Sequence, residues 1–162
     1  MAKWTVGNGI TEYIAQLQAL DKSAEEQIGA AVYQGAKIVA DEIRKNIKNM
    51  PTDERHGTPQ NPVKGVTRKQ KAGLLDGLGI AKMKDDNGFI HVKIGMDGYN
   101  GVRTKAFPNG QPNALIIRSA ETGSSFRQKT PVIAPAVKAK KPEAERVMAE
   151  VIEKKIKEVT KE

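Results

Sequence analysis

Cysteine is absent from the chain, which rules out a disulfide framework, thiol catalysis and any cysteine-ligated zinc or iron–sulfur site. Aromatic residues make up only 4% of the total, and none is interleaved with the lysines and arginines of 64–71, so a platform there for stacking single-stranded bases is missing. The two histidines, His56 and His91, lie in different segments with no Ser, Asp or Glu pattern that would complete a catalytic triad. No apolar stretch nears the roughly 20 residues of a membrane span. The start, MAKWTVGNGI, also lacks the apolar run of a signal peptide. These absences lead to the expectation of a soluble chain, made in a cytoplasm and without a membrane partner.

What is present is charge. Lys and Arg number 27 against 19 Asp and Glu, a formal net charge of +8 that suits nucleic acid, an anionic membrane or an acidic protein surface, and does not choose among them. A chain of 162 residues fits one structural domain, 1–162, with an extended arm. A domain of that size buries roughly two thirds of its unfolded surface. With 38% hydrophobic and 28% charged residues, long polar faces or assembly surfaces account for much of it.

Helical spacing of Ile10, Ile14, Leu17 and Leu20 predicts a short first helix, and Ser23-Ala24-Glu25-Glu26 has the form of a capping box opening a second. In that second helix Ile28, Ala31, Val32, Gly35, Ile38, Val39, Ile43 and Ile47 keep the apolar rhythm until Pro51. Lys37, Asp41, Arg44, Lys45 and Lys48 occupy its other face, and the small Ala31 and Gly35 invite a close neighbour. From 51 to 72 proline, glycine and charge replace periodicity, which reads as a long loop or arm. The basic second half of the arm, with Lys64, Arg68, Lys69 and Lys71, reads either as a solvated loop or as a contact for DNA or an acidic neighbouring subunit.

Alternation over Ile80–Lys84 and Phe89–Ile94 about Asn87-Gly88 predicts a hairpin. Ile90, Val92 and Ile94 should face the core, with Phe89, His91 and Lys93 facing out or across a subunit boundary. Asp85, Asp86 and Asn87 lack the remainder of a calcium loop, so no metal is assigned. Val102–Ala106 reads as an added strand or a flap, FPNGQPN from Phe107 as a punctuated loop, and Ala114–Ile117 as strand or helix. Glu121 has no second acid or base beside it. A structural role in the Gly123 loop, pairing with a basic residue of its own or an adjacent subunit, is expected instead. The prolines bracketing Pro131–Pro135 favour an edge or extended segment. Lys138, Lys140 and Lys141 then form a basic shoulder, and Pro142 is expected near the start of a last helix with Ala144, Val147, Met148, Val151, Ile152, Ile156 and Val159 as its stripe.

The fold expected from this order is α+β: a small, mostly antiparallel sheet flanked by a long N-terminal and a long C-terminal helix, with an extended loop inserted before the sheet. Glu121, Thr122, Gly123, Pro131, Pro135 and Ala136, followed directly by a lysine-rich helix, are together similar to the C-terminal half of the tail-component family of tailed bacteriophages named for gene product ten of the Hong Kong lambdoid phage. That family has a short Pro-x-x-Thr-Gly segment leading into its first strand; Pro51-Thr52 begins it here, and the resemblance implies that the glycine and strand are displaced to Gly73-Leu74-Leu75, so about twenty residues look inserted. In the family the segment corresponding to Ala114–Glu121 leads into the Glu-Thr-Gly loop, which implies an element packed on the sheet. The resemblance implies a non-enzymatic virion protein of the neck or head-proximal tail end, acting in head–tail joining or tail completion. It also implies a homo-oligomeric ring around the DNA path, with other neck and tail proteins as partners, non-specific contact with packaged DNA, and no cofactor. Candidate subunit or DNA contacts are Lys64, Arg68, Lys69, Lys71, Glu121, Thr122, Gly123, Lys138, Lys140 and Lys141. The alternative class is a small basic nucleic-acid-binding protein, although a recognition-helix pattern and a zinc motif are both missing.

Overall fold

The computed structural model describes Ala2, Lys3, Ile10, Ile14 and residues 24–159. The elements in order are β1 (Ala2–Lys3), α1 (Ala24–Asn49), β2 (Val63–Lys64), α2 (Arg68–Gly77), β3 (Leu78–Ile80), β4 (Lys84–Asp86), β5 (Phe89–His91), β6 (Lys93–Met96), α3 (Asn113–Thr122), β7 (Arg127–Gln128) and α4 (Ile133–Val159). This is α+β, with the two long helices α1 and α4 flanking short strands, as the sequence order suggests. Ile10 and Ile14 are helical and Ile10 is buried, but Leu17, Leu20 and the Ser23 cap lie outside the described residues.

The chain forms two compact units. The first comprises Met1–Val39, Ile80–Ile94 and Ala139–Glu162, and the second Ala40–Gly79 and Gly95–Lys138. In the first unit the apolar stripe of α1 is buried through Ile28, Ala31, Val32, Ala36 and Val39, whereas Ile38 is only half-buried. Ala144, Met148 and Ile152, spaced by four on α4, are buried as well, a narrower stripe than the sequence suggested because Val147, Val151 and Ile156 stay half-exposed. Gly35 lies directly against Met148: a β-carbon there would lie 2.7 Å from Met148 Cγ and 2.8 Å from its Sδ. Close approach replaces the helix propensity that glycine forgoes.

The hairpin forms at the expected turn. β4 and β5 pair antiparallel with Lys84 opposite His91, Asp85 opposite Ile90 and Asp86 opposite Phe89, and Asn87 (φ 58°) and Gly88 (φ 85°) supply the two positive dihedrals of the tight turn. The strands are shorter than their alternation suggests, since Ala81–Met83 is not strand and the chain leaves strand geometry at Val92. That break corrects the expectation for His91. Ile90, Val92 and Ile94 are buried as predicted, but the alternation is interrupted and His91 is also buried, 4% exposed. Its Nδ1 lies 3.3 Å from the Phe89 carbonyl and its Nε2 3.7 Å from Asp86. β1 pairs antiparallel with β6, which together with β3 completes a three-stranded sheet in the order β1-β6-β3.

The second unit departs furthest from the sequence reading. The stretch 51–72 is not loop throughout, and Gly73-Leu74-Leu75 is not strand: Val63–Lys64 pairs in parallel with β7, and α2 begins at Arg68. The cause is a capping box at Thr67 and Gln70. Thr67 Oγ1 accepts from the Gln70 amide (3.1 Å) while Gln70 Oε1 accepts from the Thr67 amide (3.0 Å). The remaining irregular chain is held by backbone bonds from Asp53 to Val66 (3.0 Å) and from Val66 to Pro51 (3.1 Å). Residues 102–106 are neither strand nor regular flap but part of an irregular turn closed by reciprocal Thr104–Phe107 bonds. Ala114–Ile117 resolves as helix in α3, which packs on α2 and β7.

Asn113 ties this unit together. Its Nδ2 donates to the carbonyls of Gly73 and Asp97, both at 2.8 Å, and its backbone amide donates to Gly98 (3.0 Å). Gly73 and Gly77, four residues apart on one face of α2, leave the space: a β-carbon on either would come within 2.7 Å of the Asn113 amide group. α4 likewise starts earlier than expected, at Ile133, so Val132-Ile133 is not an edge strand. Pro135 falls in the first turn, where a missing N–H costs little, and Pro142 lies inside the helix rather than near its start.

Replacing Gly35 by alanine tests the contact with Met148. Alanine contributes up to about 1 kcal/mol of helix propensity, but overpacking a filled site costs about 1–3 kcal/mol. A net loss of about 1 kcal/mol in urea unfolding is expected. Unchanged or increased stability would show that Met148 yields without cost.

Candidate functional site

Three helix ends in the second unit are closed by side chains from elsewhere in the sequence. Glu121, near the end of α3, accepts from the amides of Val132 (2.8 Å), Ile133 (3.0 Å) and Ala134 (2.8 Å), the unpaired donors at the start of α4. Arg44 donates to the Leu75 carbonyl (3.0 Å) in the last turn of α2, and Lys71 Nζ to the Lys48 carbonyl (2.9 Å) in the last turn of α1. Each end receives the charge its dipole favours.

These contacts sort the residues singled out from sequence. Glu121 is bonded to backbone amides and not to the basic residue expected. Thr122 Oγ1 bonds back to the Arg118 carbonyl (2.9 Å), and Gly123 (φ 78°) ends α3 with its amide on Ser119. Lys71 is engaged with α1. Arg68 is exposed, its amide donating to Glu54 (2.8 Å) with the guanidinium 3.9 Å away. Lys64 and Lys69 are exposed. Lys138, Lys140 and Lys141 are not a shoulder before the last helix but lie on it, where Lys140 pairs with Glu143 (2.7 Å) and Lys141 with Glu145 (3.8 Å). Lys140 holds the Glu143 carboxyl below the usual carboxylate range.

The structure brings together a different set. In the second unit a groove of about 710 Å³ is lined by Val102, Phe107, Leu115, Phe126 and Arg127, with Asp53, Arg55 and His56 also along it. Leu115 is 45% and Phe126 53% exposed, a large apolar display for a chain with three phenylalanines. Phe126 is presented by a tight turn in which the Ser124 amide bonds to Arg127 O (2.9 Å), while the Val63 amide takes Phe126 O (3.0 Å). Gly57 permits that approach, since a β-carbon there would strike the Phe126 carbonyl.

Charge in the groove is unevenly matched. Asp53 and Arg55 form a bidentate pair at 2.6 and 3.0 Å. The Arg55 side chain, then its backbone amide, hold the Asp53 carboxyl well below the usual range. Arg127, in contrast, donates only to neutral acceptors, the Gly65 carbonyl and Gln70 Oε1 (3.3 Å), and has no carboxylate partner among the described residues. Burial pushes its guanidinium down from the ordinary value. Arg127 and Phe126 went unnoticed in the sequence because a single arginine and a single aromatic in a polar turn have no period. The signal that existed was compositional: two of the three phenylalanines stand in polar loops. Among the described residues no His, Asp and Glu cluster is fit to hold a metal, and no helix is long and apolar enough to cross a membrane.

Glu121→Ala should lower stability by about 1–2 kcal/mol in urea unfolding through loss of the α4 cap, and a neutral result would assign the capping to the backbone alone. Asp53 has a folded pKa depressed below its unfolded value of about 4, so its contribution is present above that pH and lost as pH falls. Asp53→Asn should therefore make the acid limb of the stability profile, below about pH 4, shallower than in the parent chain. An unchanged slope would mean that the Arg55 pair does not persist in solution.

No curated protein and no solved structure matches the chain. A family model does, that of Bacteriophage HK97-gp10, putative tail-component, over residues 11–98. The matched stretch takes in α1, α2 and the hairpin, and does not include the Glu121–Val137 segment whose order first suggested the resemblance. Because it spans just over half of the 162 residues, the chain belongs to the HK97-gp10 family of bacteriophage tail components.

Proposed function

We propose that this tail component acts at the head-proximal end of the tail, joining it to the head or completing it, as a homo-oligomeric ring around the DNA path. Family membership over residues 11–98 is the observation that carries this reading. Two physical features support self-association. The β2–β7 and β4–β5 pairs are isolated two-stranded ladders, and such edges are commonly covered by another chain. Leu115, Phe126 and Tyr99, the last 69% exposed, leave apolar surface that assembly would remove from water.

The positive charge then serves either the DNA path or acidic neighbours. Lys64, Arg68 and Lys69 are exposed on β2 and the first turn of α2 and remain candidates for such contacts. Lys140 and Lys141 are matched by glutamates on their own helix, which weakens the case for a nucleic-acid-binding protein as such.

Imaging particles from a phage that lacks only this chain tests the role. Separated filled heads and tails, or tails with faulty end structure, are expected, and intact infectious virions would reject it. Replacing Lys64, Arg68 and Lys69 together by glutamine should reduce joining without altering the fold, measured as the yield of infectious particles and by circular dichroism. Full yield would remove these residues from the contact set.

A further inference from the structure

The groove of the second unit and the β4–β5 hairpin of the first carry opposite and matching surfaces. The groove wall is apolar at Phe107, Leu115 and Phe126 and holds Arg127, whose only acceptors are neutral. Asp53 and Glu54 also line the groove, Asp53 paired with Arg55 and Glu54 beside Arg68 (3.9 Å), so Arg127 is its one arginine or lysine without a carboxylate partner among the described residues. The hairpin tip reads Asp85-Asp86-Asn87-Gly88-Phe89, with the Asp86 side chain 69% exposed and Phe89, its cross-strand partner, 42% exposed. One chain thus presents a carboxylate beside an aromatic ring. It also presents an apolar cleft that holds an unmatched guanidinium.

From this complementarity we infer that the hairpin tip of one copy docks into the Phe107–Leu115–Phe126 groove of a second copy, Phe89 entering the apolar cleft and Asp86 meeting Arg127. The inference rests on the self-association reading above and specifies its surfaces. The contact is heterologous, because hairpin and groove are different patches. Repetition of such a contact gives a closed ring when the rotation closes and an open filament when it does not. The hairpin suits the role: Asp85 Oδ1 already holds the Gly88 amide at 2.6 Å, so little conformational freedom is lost on docking. Burying the half-buried Arg127 further is favourable only if an anion accompanies it, and the Asp86 carboxylate supplies that anion.

The absence of cysteine makes the test direct. Two single variants, Phe89→Cys and Phe126→Cys, are prepared with tags of different size, mixed at high protein concentration and oxidised. A disulfide-linked heterodimer should accumulate several-fold faster than when Phe126→Cys is replaced by Tyr99→Cys, which is exposed but does not line the groove. Lys84→Cys serves as a second hairpin reporter if Phe89→Cys misfolds. Adding Asp86→Lys to the hairpin variant should slow cross-linking several-fold, and an unchanged rate would overturn the pairing of Asp86 with Arg127. Homodimers of either variant forming faster than the heterodimer, or equal rates with Tyr99→Cys, would overturn the inference. Sedimentation of the parent chain separates the two levels. Multimers without the hairpin-to-groove cross-link would leave the ring standing and reject this contact, whereas intact virions without the chain would reject the ring itself.

Discussion

The second unit depends on one buried amide. Asn113 joins the carbonyl of Gly73 on α2 to that of Asp97 beyond β6, and it does so in a space that exists only because Gly73 and Gly77 have no side chains. A buried polar group without partners costs about 1–3 kcal/mol, so the arrangement tolerates neither a larger residue on α2 nor an apolar one at 113. From it follow the start of α3, the side of α2 that faces α3, and hence the positions of Leu115 and Ile116 on the groove wall. Gln70 extends the same logic one turn earlier, capping α2 while its Nε2 reaches Gln111 (2.7 Å) and its Oε1 receives Arg127.

Charge is used in two distinct ways in this chain. Glu121, Arg44 and Lys71 are consumed at helix ends, where each satisfies backbone groups that have no partner within their own helix. The Glu and Lys of α4 pair along its exposed face, as in Arg146 with Glu150 (2.6 Å) and Lys155 with Glu158 (2.8 Å), and such exposed pairs contribute little beyond solubility. Lys64, Lys69, Arg103, Lys105 and Arg127 have no carboxylate partner among the described residues. Net charge alone, +8, is therefore a poor guide to contact surfaces here. The pairing pattern is the better one, and of these five cations only Arg127 lines the groove.

As a tail component of a bacteriophage virion, the protein works among other phage proteins, and the surfaces that suit such work are those a solitary monomer would have reason to avoid. An exposed Phe126, a hairpin with an aromatic beside its turn, and two-stranded ladders with open edges are liabilities in an isolated chain.

The sequence by itself determined what depends on neighbours within a few residues. The period of α1, the Asn87-Gly88 turn and the apolar face at Ile90, Val92 and Ile94 were all readable, because a helical stripe and a positive-φ dipeptide are local properties. The capping box at Thr67 and Gln70 was readable too, but was overridden by the Pro, Gly and charge content around it. Only the tertiary structure decided the rest. That Glu121 closes α4 across eleven residues, that Asn113 sits between two glycines some forty residues earlier, and that Phe107, Leu115 and Phe126 share a groove all require chain segments to meet. Such meetings leave no period in the sequence, since each is set by backbone groups and close approach at single residues.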